Sequence, residues 1–423
     1  MRPKPPLPSA KAPARRRWLP AAIVLAVLAA SLAWFVRNQG GPPAVAAPAV
    51  IAAAPGPHFF DLIDSHPSLP LRPAVPRRRQ LLTNLLLADR TYCSYRASSK
   101  YPHGSRPIAE QPDQVYPNKP VAEANPMRLD GGGTDRTVQI QSSQSRVYMA
   151  AGEAVAFSLR ALDGDGKVLP LVITRALAQG LAFNGSRPGA PVVLAFADDG
   201  SGADPVAGDG AFAAVLAPAQ TGLAAFNGTI RTDVRFTVAG RAGALLFDVI
   251  YSPVLPATWT GEVREALENG SLNFYLQADV RQAGRYIVTG RVDDASGKPF
   301  ALLTFNDVLG TGPNEVRLTM FGKLMRDQAP ALPLTLRDVD GYLLMEDTDP
   351  DRALMPRLEG AFHVAKAYPM KAFSDAEWQS EERSRYLAEF GKDLARARAA
   401  LAESDPAAAL PDSACGAEIA VNH

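Results

Sequence analysis

Cysteine and histidine are scarce in this chain. Among 423 residues there are two cysteines and five histidines. Two cysteines permit one pairing, so a disulfide-dense fold is excluded. The histidines, His58, His66, His103, His363 and His423, show no H-x-x-x-H or H-E-x-x-H spacing, so no zinc motif is legible. His58 and His66 share the stretch "HFFDLIDSH" with two acids, but the spacing puts them on no common helical face. No G-x-S-x-G, no P-loop and no G-x-G-x-x-G opening a helix occurs, which removes the local signatures of α/β-hydrolases and nucleotide enzymes. A catalytic set assembled from distant strands leaves no such trace. Charge of one sign is also lacking. The 44 Lys and Arg balance 43 Asp and Glu, for a net charge of +1, so no field draws nucleic acid and none is expected as a partner.

Long apolar runs are lacking too, with one exception. Leu19 to Val36 carries no charge. Eighteen helical residues at 1.5 Å each span roughly 27 Å, close to a bilayer core. Trp18 and Trp34 mark its ends, and six Lys or Arg residues precede it, while only Arg37 follows closely. The expectation is an uncleaved signal anchor over 18–37 in a bacterial inner membrane, crossed once. The basic segment 1–17 is then cytoplasmic and the bulk periplasmic. The alternative is a cleaved signal peptide, with small-residue sites in "PAVAAPA" at 43–49.

Proline is abundant, 37 in all, and many lie in the first third of the chain. Residues 38–57 are rich in Pro, Ala and Gly and read as a stiff tether. Residues 58–133 read as an extended arm. It carries one short helix, "RRRQLLTNLLLADR" at 77–90, with Leu81, Leu82, Leu85 and Leu86 on one side. The basic stretch "RPAVPRRRQ" reads as a solvated run, with contact to anionic lipid as the alternative.

From 134 onward the apolar residues alternate with period two. "EAVAFSLRAL", "VVLAFA" and "FNGTIRTDVRFTVAG" are examples, separated by Gly, Asp and Pro. Short alternating strands at close spacing predict antiparallel sandwiches. The fold class is therefore mainly β. We expect two immunoglobulin-like β-sandwiches at 134–254 and 255–355, with an N-terminal transmembrane helix and a C-terminal α-helix. In the C-terminal part, 356–423, the helix opens with a capping box at Ser374 and Glu377. Leu387, Phe390, Leu394, Ala397 and Leu401 then form one helical stripe. That stripe suits a helix laid on the second sandwich or the arm, or one that meets a partner.

The stretch "FADDGSGADPVAGDGAF" at 196–212 concentrates aspartate and glycine. Asp198, Asp199, Asp204 and Asp209 offer carboxylates on a backbone that can turn tightly, so calcium is a candidate cofactor. The spacing does not fit an EF-hand. Two Asx-type turns between strands explain the same composition without metal. "DGDGK" at 163–167 reads as a hairpin turn. Cys93 and Cys415 lie in segments that bury little by themselves. A disulfide tying the arm to the tail is the sharper reading, and two free thiols the other.

The aspartate-rich stretch resembles a recurring signature of bacterial exported immunoglobulin-like modules, among them those grouped under the choice-of-anchor label. "GRYIVTGRVDDASGKPFALLTFND" with "EVRLTMFGKLMRD" is similar to the second module that accompanies it. The resemblance spans about 134–350 and implies an anchored, multi-domain envelope protein, but no activity. The expected function is non-enzymatic binding or scaffolding with an envelope protein partner. An envelope hydrolase or accessory subunit and a calcium-dependent adhesion module are the alternatives.

Overall fold

The computed structural model describes residues 77–182, 189–407 and 410–417. The chain divides into units 1–75 and 76–423, and the described residues belong to the second. The expected span at Leu19–Val36 and its tether lie outside the described residues. Among the described residues, no helix is long and apolar enough to cross a membrane.

The first sandwich is built from alternating strands. β10 (Gly228–Val238) shows the pattern best: Ile230, Val234, Phe236 and Val238 point inward and are buried. Arg231, Asp233 and Arg235 alternate outward, as a pleated strand half-covered by a second sheet requires. One sheet runs β2 (Val121–Arg128), β3 (Thr134–Gln144), β5 (Val155–Leu162), β6 (Val168–Leu169), with β9 (Phe212–Leu216) also paired to β5. The other runs β4 (Tyr148–Ala150), β11 (Arg241–Ser252), β10, β7 (Leu171–Gly180), β8 (Val192–Val193). Phe157 and Phe247 meet between the sheets with ring centroids 4.7 Å apart. "DGDGK" closes the β5–β6 hairpin, where the Asp163 carboxylate accepts the N–H groups of Asp165 and Lys167.

The second sandwich pairs a three-stranded sheet with a larger one. The small sheet is β12 (Ala257–Glu268), β13 (Ser271–Val280), β16 (Gly312–Met320). The larger runs β1 (Ser105–Pro107), β15 (Pro299–Leu309), β14 (Gly284–Asp293), β17 (Thr335–Leu344), β18 (Arg352–Leu354), with β19 (Leu358–Val364) also on β17. Phe274, Leu318, Val288, Leu303 and Leu336 fill the space between them. A short helix, α2 (Gly322–Gln328), follows β16 and buries Leu324 and Met325.

The stretch expected as an extended arm is folded over much of its described length. α1 (Arg77–Ser98) is longer than the 77–90 reading, and β1 and β2 are strands of the second and first sandwich. The first sandwich thus starts at Val121 rather than 134. Strand pairing supplies what local pattern does not. Only Met127 of β2 is buried, but the strand's backbone pairs with β3.

α1 packs antiparallel on α3 (Glu381–Ser404). Arg78 pairs with Asp405 at one end, and Arg383 donates to Ser99 Oγ at 3.1 Å at the other. Leu85, Leu394 and Leu401 form the buried centre, flanked by Leu81, Leu82 and Ala397. Phe390 sits edge-on to Tyr95 at 5.3 Å. Leu86 does not join them and is 45 % exposed. The buried line on α1 is Leu85, Asp89, Cys93, spaced by four, and Leu86 lies about 100° around the helix from it.

The capping box is also placed differently. α3 begins at Glu381, with Ser380 Oγ accepting the Arg383 N–H at 3.1 Å. Ser374 and Trp378 are held elsewhere, through their N–H groups bonded to Gly270 O and Lys100 O. Those two anchors pin 374–378 to the second sandwich and to the end of α1, so the helix starts one turn and a half later.

Candidate functional site

The aspartate-rich loop folds around its own amides. Asp198 accepts the N–H groups of Gly208, Asp209 and Gly210 at 2.7, 3.2 and 2.9 Å. Asp204, 3 % exposed, accepts those of Gly200 and Val206. Asp209 accepts from Ala211 at 2.8 Å. Gly200, Gly202, Gly208 and Gly210 all take positive φ, which the turns require. The structure brings Asp198, Asp204 and Asp209 together, with one carboxylate oxygen of each within 4.8 Å of the others. It does not add Asp199, whose carboxylate turns to the hydroxyl and N–H of Ser201 and is held by them below the usual carboxylate range. Three of the four expected ligands converge, and each of the three also closes a turn.

The two cysteines are joined. Cys93 on α1 and Cys415 on α4 (Ala414–Ala417) form a disulfide with Cα atoms 4.9 Å apart. Asp89, one turn before Cys93, is 6 % exposed and accepts from Ser413 Oγ at 2.8 Å and Ala414 N–H at 2.6 Å. Arg398 of α3 faces the same carboxylate. One buried acid therefore ties the tail, α1 and α3 at the disulfide.

One histidine gains a partner that sequence spacing does not reveal. His363 Nε2 lies 2.9 Å from Glu265, 98 residues away. Glu265 also accepts from Lys366 N–H and Tyr368 Oη. Burial acts to raise the Glu265 pKa, yet these three donors together hold it below its usual range. A carboxylate so satisfied is a weak base, so the pair serves structure better than proton transfer.

The third candidate lies on the second sandwich. β1 covers β15 only at Ala301–Leu303, and the next bond, Thr304 N–H to Gly104 O, is the last between the two segments. Among the described residues β16 pairs with β13 alone. A cleft of 450 Å³ opens between β15 and the outer face of β13 and β16. Ser271 and Asn273 face it because they alternate with the core residues Leu272 and Phe274. Thr319 Oγ1 donates to Asn273 Oδ1 at 2.6 Å, and Tyr275 Oη donates to Glu268 at 2.5 Å. That bond to Glu268, with burial behind it, pushes the Tyr275 hydroxyl pKa up. Arg264 stacks 3.8 Å from the Tyr275 ring centre. Trp378, 39 % exposed, stands at the rim with its ring edge-on to Phe321.

No family model matches the chain, and no curated protein matches it. Similar solved structures include a DUF4785 family protein from Legionella pneumophila, 14% identical, with TM-score 0.33, covering 49% of this chain and 53% of that one. This chain thus spans about half of the Legionella protein. Fibronectin(III)-like modules of CbhA from Clostridium thermocellum are 15% identical, with TM-score 0.18 over 50% of this chain and 84% of theirs. A DUF3823 family protein from Bacteroides ovatus is 12% identical, with TM-score 0.18 over 48% and 96%. All three TM-scores lie below 0.5.

Proposed function

We propose that the protein is a non-enzymatic binding or scaffold protein of the bacterial cell envelope. In this reading it belongs to the exported immunoglobulin-like modules that its 196–212 stretch resembles. Leu19–Val36 holds it in the inner membrane, residues 1–17 stay in the cytoplasm, and the sandwiches stand in the periplasm. The disulfide supports export, because cytosolic thiols are kept reduced.

The observation that carries the binding role is the stitching of the two sandwiches into one body. Arg352 of the second lies 4.8 Å from the ring centres of both Tyr148 and Tyr342. Arg357 donates to Tyr148 O at 2.8 Å and to Asn118 at 3.2 Å. Arg291, 1 % exposed, clamps Gln114 of the connecting segment through its carbonyl and side chain. A body held this way presents its loops and edges at fixed spacing, which favours holding a partner. The test is in-cell crosslinking of the full chain from photoreactive residues on the second sandwich. A reproducible envelope partner crosslinked at those positions supports the reading. Turnover of polysaccharide or peptide by the purified protein overturns it in favour of a hydrolase.

A second reading rests on Asp198, Asp204 and Asp209. Their convergence suits a calcium-dependent adhesion module, with the three carboxylates as ligands. Thermal melts in calcium and then in chelator decide it. A midpoint that rises with calcium supports the module, and an unchanged midpoint removes it.

A further inference from the structure

The cleft between β15 and the β13–β16 face has the size and chemistry of a small-molecule site. Its 450 Å³ falls within the usual range for such sites, roughly 300–1,000 Å³. Its walls carry carboxamides and hydroxyls, Asn273, Asn306 and Thr319 among them. These groups both donate and accept. The charged residues of the lining are Glu268, Asp307 and Arg317, two carboxylates to one guanidinium, which disfavours an anion. Trp378 supplies a broad apolar face at the rim, with its main chain fixed by the bond to Lys100 O at 2.9 Å.

A ligand that matches all of this has hydroxyls around its edge and a C–H face to lay on an aromatic ring. We propose that the cleft binds a short neutral oligosaccharide, with one ring stacked on Trp378 and hydroxyls bonded to Asn273, Asn306 and Arg317. This rests on the non-enzymatic binding reading above and names its ligand class.

An extended peptide adding to the β15 edge is the competing occupant, because β1 already adds there. The edge is poorly suited to continue that ladder. The Val308 N–H, next but one after Asn306, is taken by the side chain of Asp307 at 2.7 Å. A strand laid past Thr304 meets a blocked donor and an exposed acid, both devices that stop edge pairing.

The test is calorimetric titration of the purified full chain with cellotriose, maltotriose and chitotriose to millimolar concentration. At least one should bind. Trp378→Ala should weaken it by about tenfold, the scale of one aromatic contact. Asn306→Ala, at an exposed residue whose Oδ1 accepts from Arg285, should weaken it several-fold. Absence of binding by all three sugars overturns the proposal and leaves the scaffold reading to its crosslinking test. Affinity unchanged in both variants also overturns it. So does an unstructured hexapeptide that shifts the β15 amides where sugars do not. Cleavage of a bound trisaccharide keeps the cleft as the sugar site and overturns the non-enzymatic reading.

Discussion

Glu265 shows what a single residue does when donors converge on it from one neighbouring stretch. Its carboxylate takes bonds from His363, Lys366 and Tyr368, and its pKa is held below the ordinary value of 4.5. A depressed carboxylate pKa gives stability that is fully present above that ordinary value and is lost as pH falls through the depressed one. Glu265→Gln should therefore cost about 1–3 kcal/mol near neutrality, the scale of unsatisfied buried donors. Urea midpoints measured against pH check it. The gap between wild type and variant should hold constant above pH 4.5 and shrink below it. An unvarying gap would assign the loss to packing instead. None of these contacts is visible in sequence, because Glu265 and His363 are brought together by strands 98 residues apart. Asp198, Asp204 and Asp209 are the contrary case, since turn chemistry within fifteen residues already draws them together.

At the scale of elements, the strap formed by α1, α3 and α4 decides how the two ends of the described residues are held together. The disulfide closes a loop of 322 residues. Chain-entropy arguments assign such a closure about 6 kcal/mol, and removal of native disulfides costs about 2–5 kcal/mol. Cys93→Ala with Cys415→Ala should lower the urea midpoint accordingly and release the tail after α3. Limited proteolysis would then cut near 405–413 first, and an unchanged digestion pattern would show that Asp89 and Arg398 suffice to hold it. The α3 stripe of Leu394, Ala397 and Leu401 was legible from its period. Its partner was not, because the period of a helix says which face is buried and not against what. α3 starts after the Ser374–Glu377 pattern because the Ser374 and Trp378 N–H groups are bonded to Gly270 O and Lys100 O, which holds 374–378 out of the helix.

For the whole molecule the decisive contacts lie between the sandwiches. Arg352 lies between Tyr342 of its own sandwich and Tyr148 of the first, and the cation–π contact that crosses, to Tyr148, is worth about 1 kcal/mol. Arg352→Ala should leave each sandwich folded while loosening one against the other. Small-angle scattering of the purified protein should then show a larger radius of gyration. An unchanged radius would leave the Arg357 and Arg291 clamps as sufficient.

The sequence by itself determined that the described part is mainly β, where its strands alternate, and that 163–167 and 196–212 turn back on themselves. These features follow from neighbours within about a dozen residues, through pleat periodicity and turn chemistry. Tertiary structure alone decided that 105–107 and 121–128 are strands and that Glu265 meets His363. It also decided that a cleft opens where β1 stops short on β15. Each of these depends on backbone groups far apart in the chain finding one another, and pairing of that kind leaves no periodic mark on either partner.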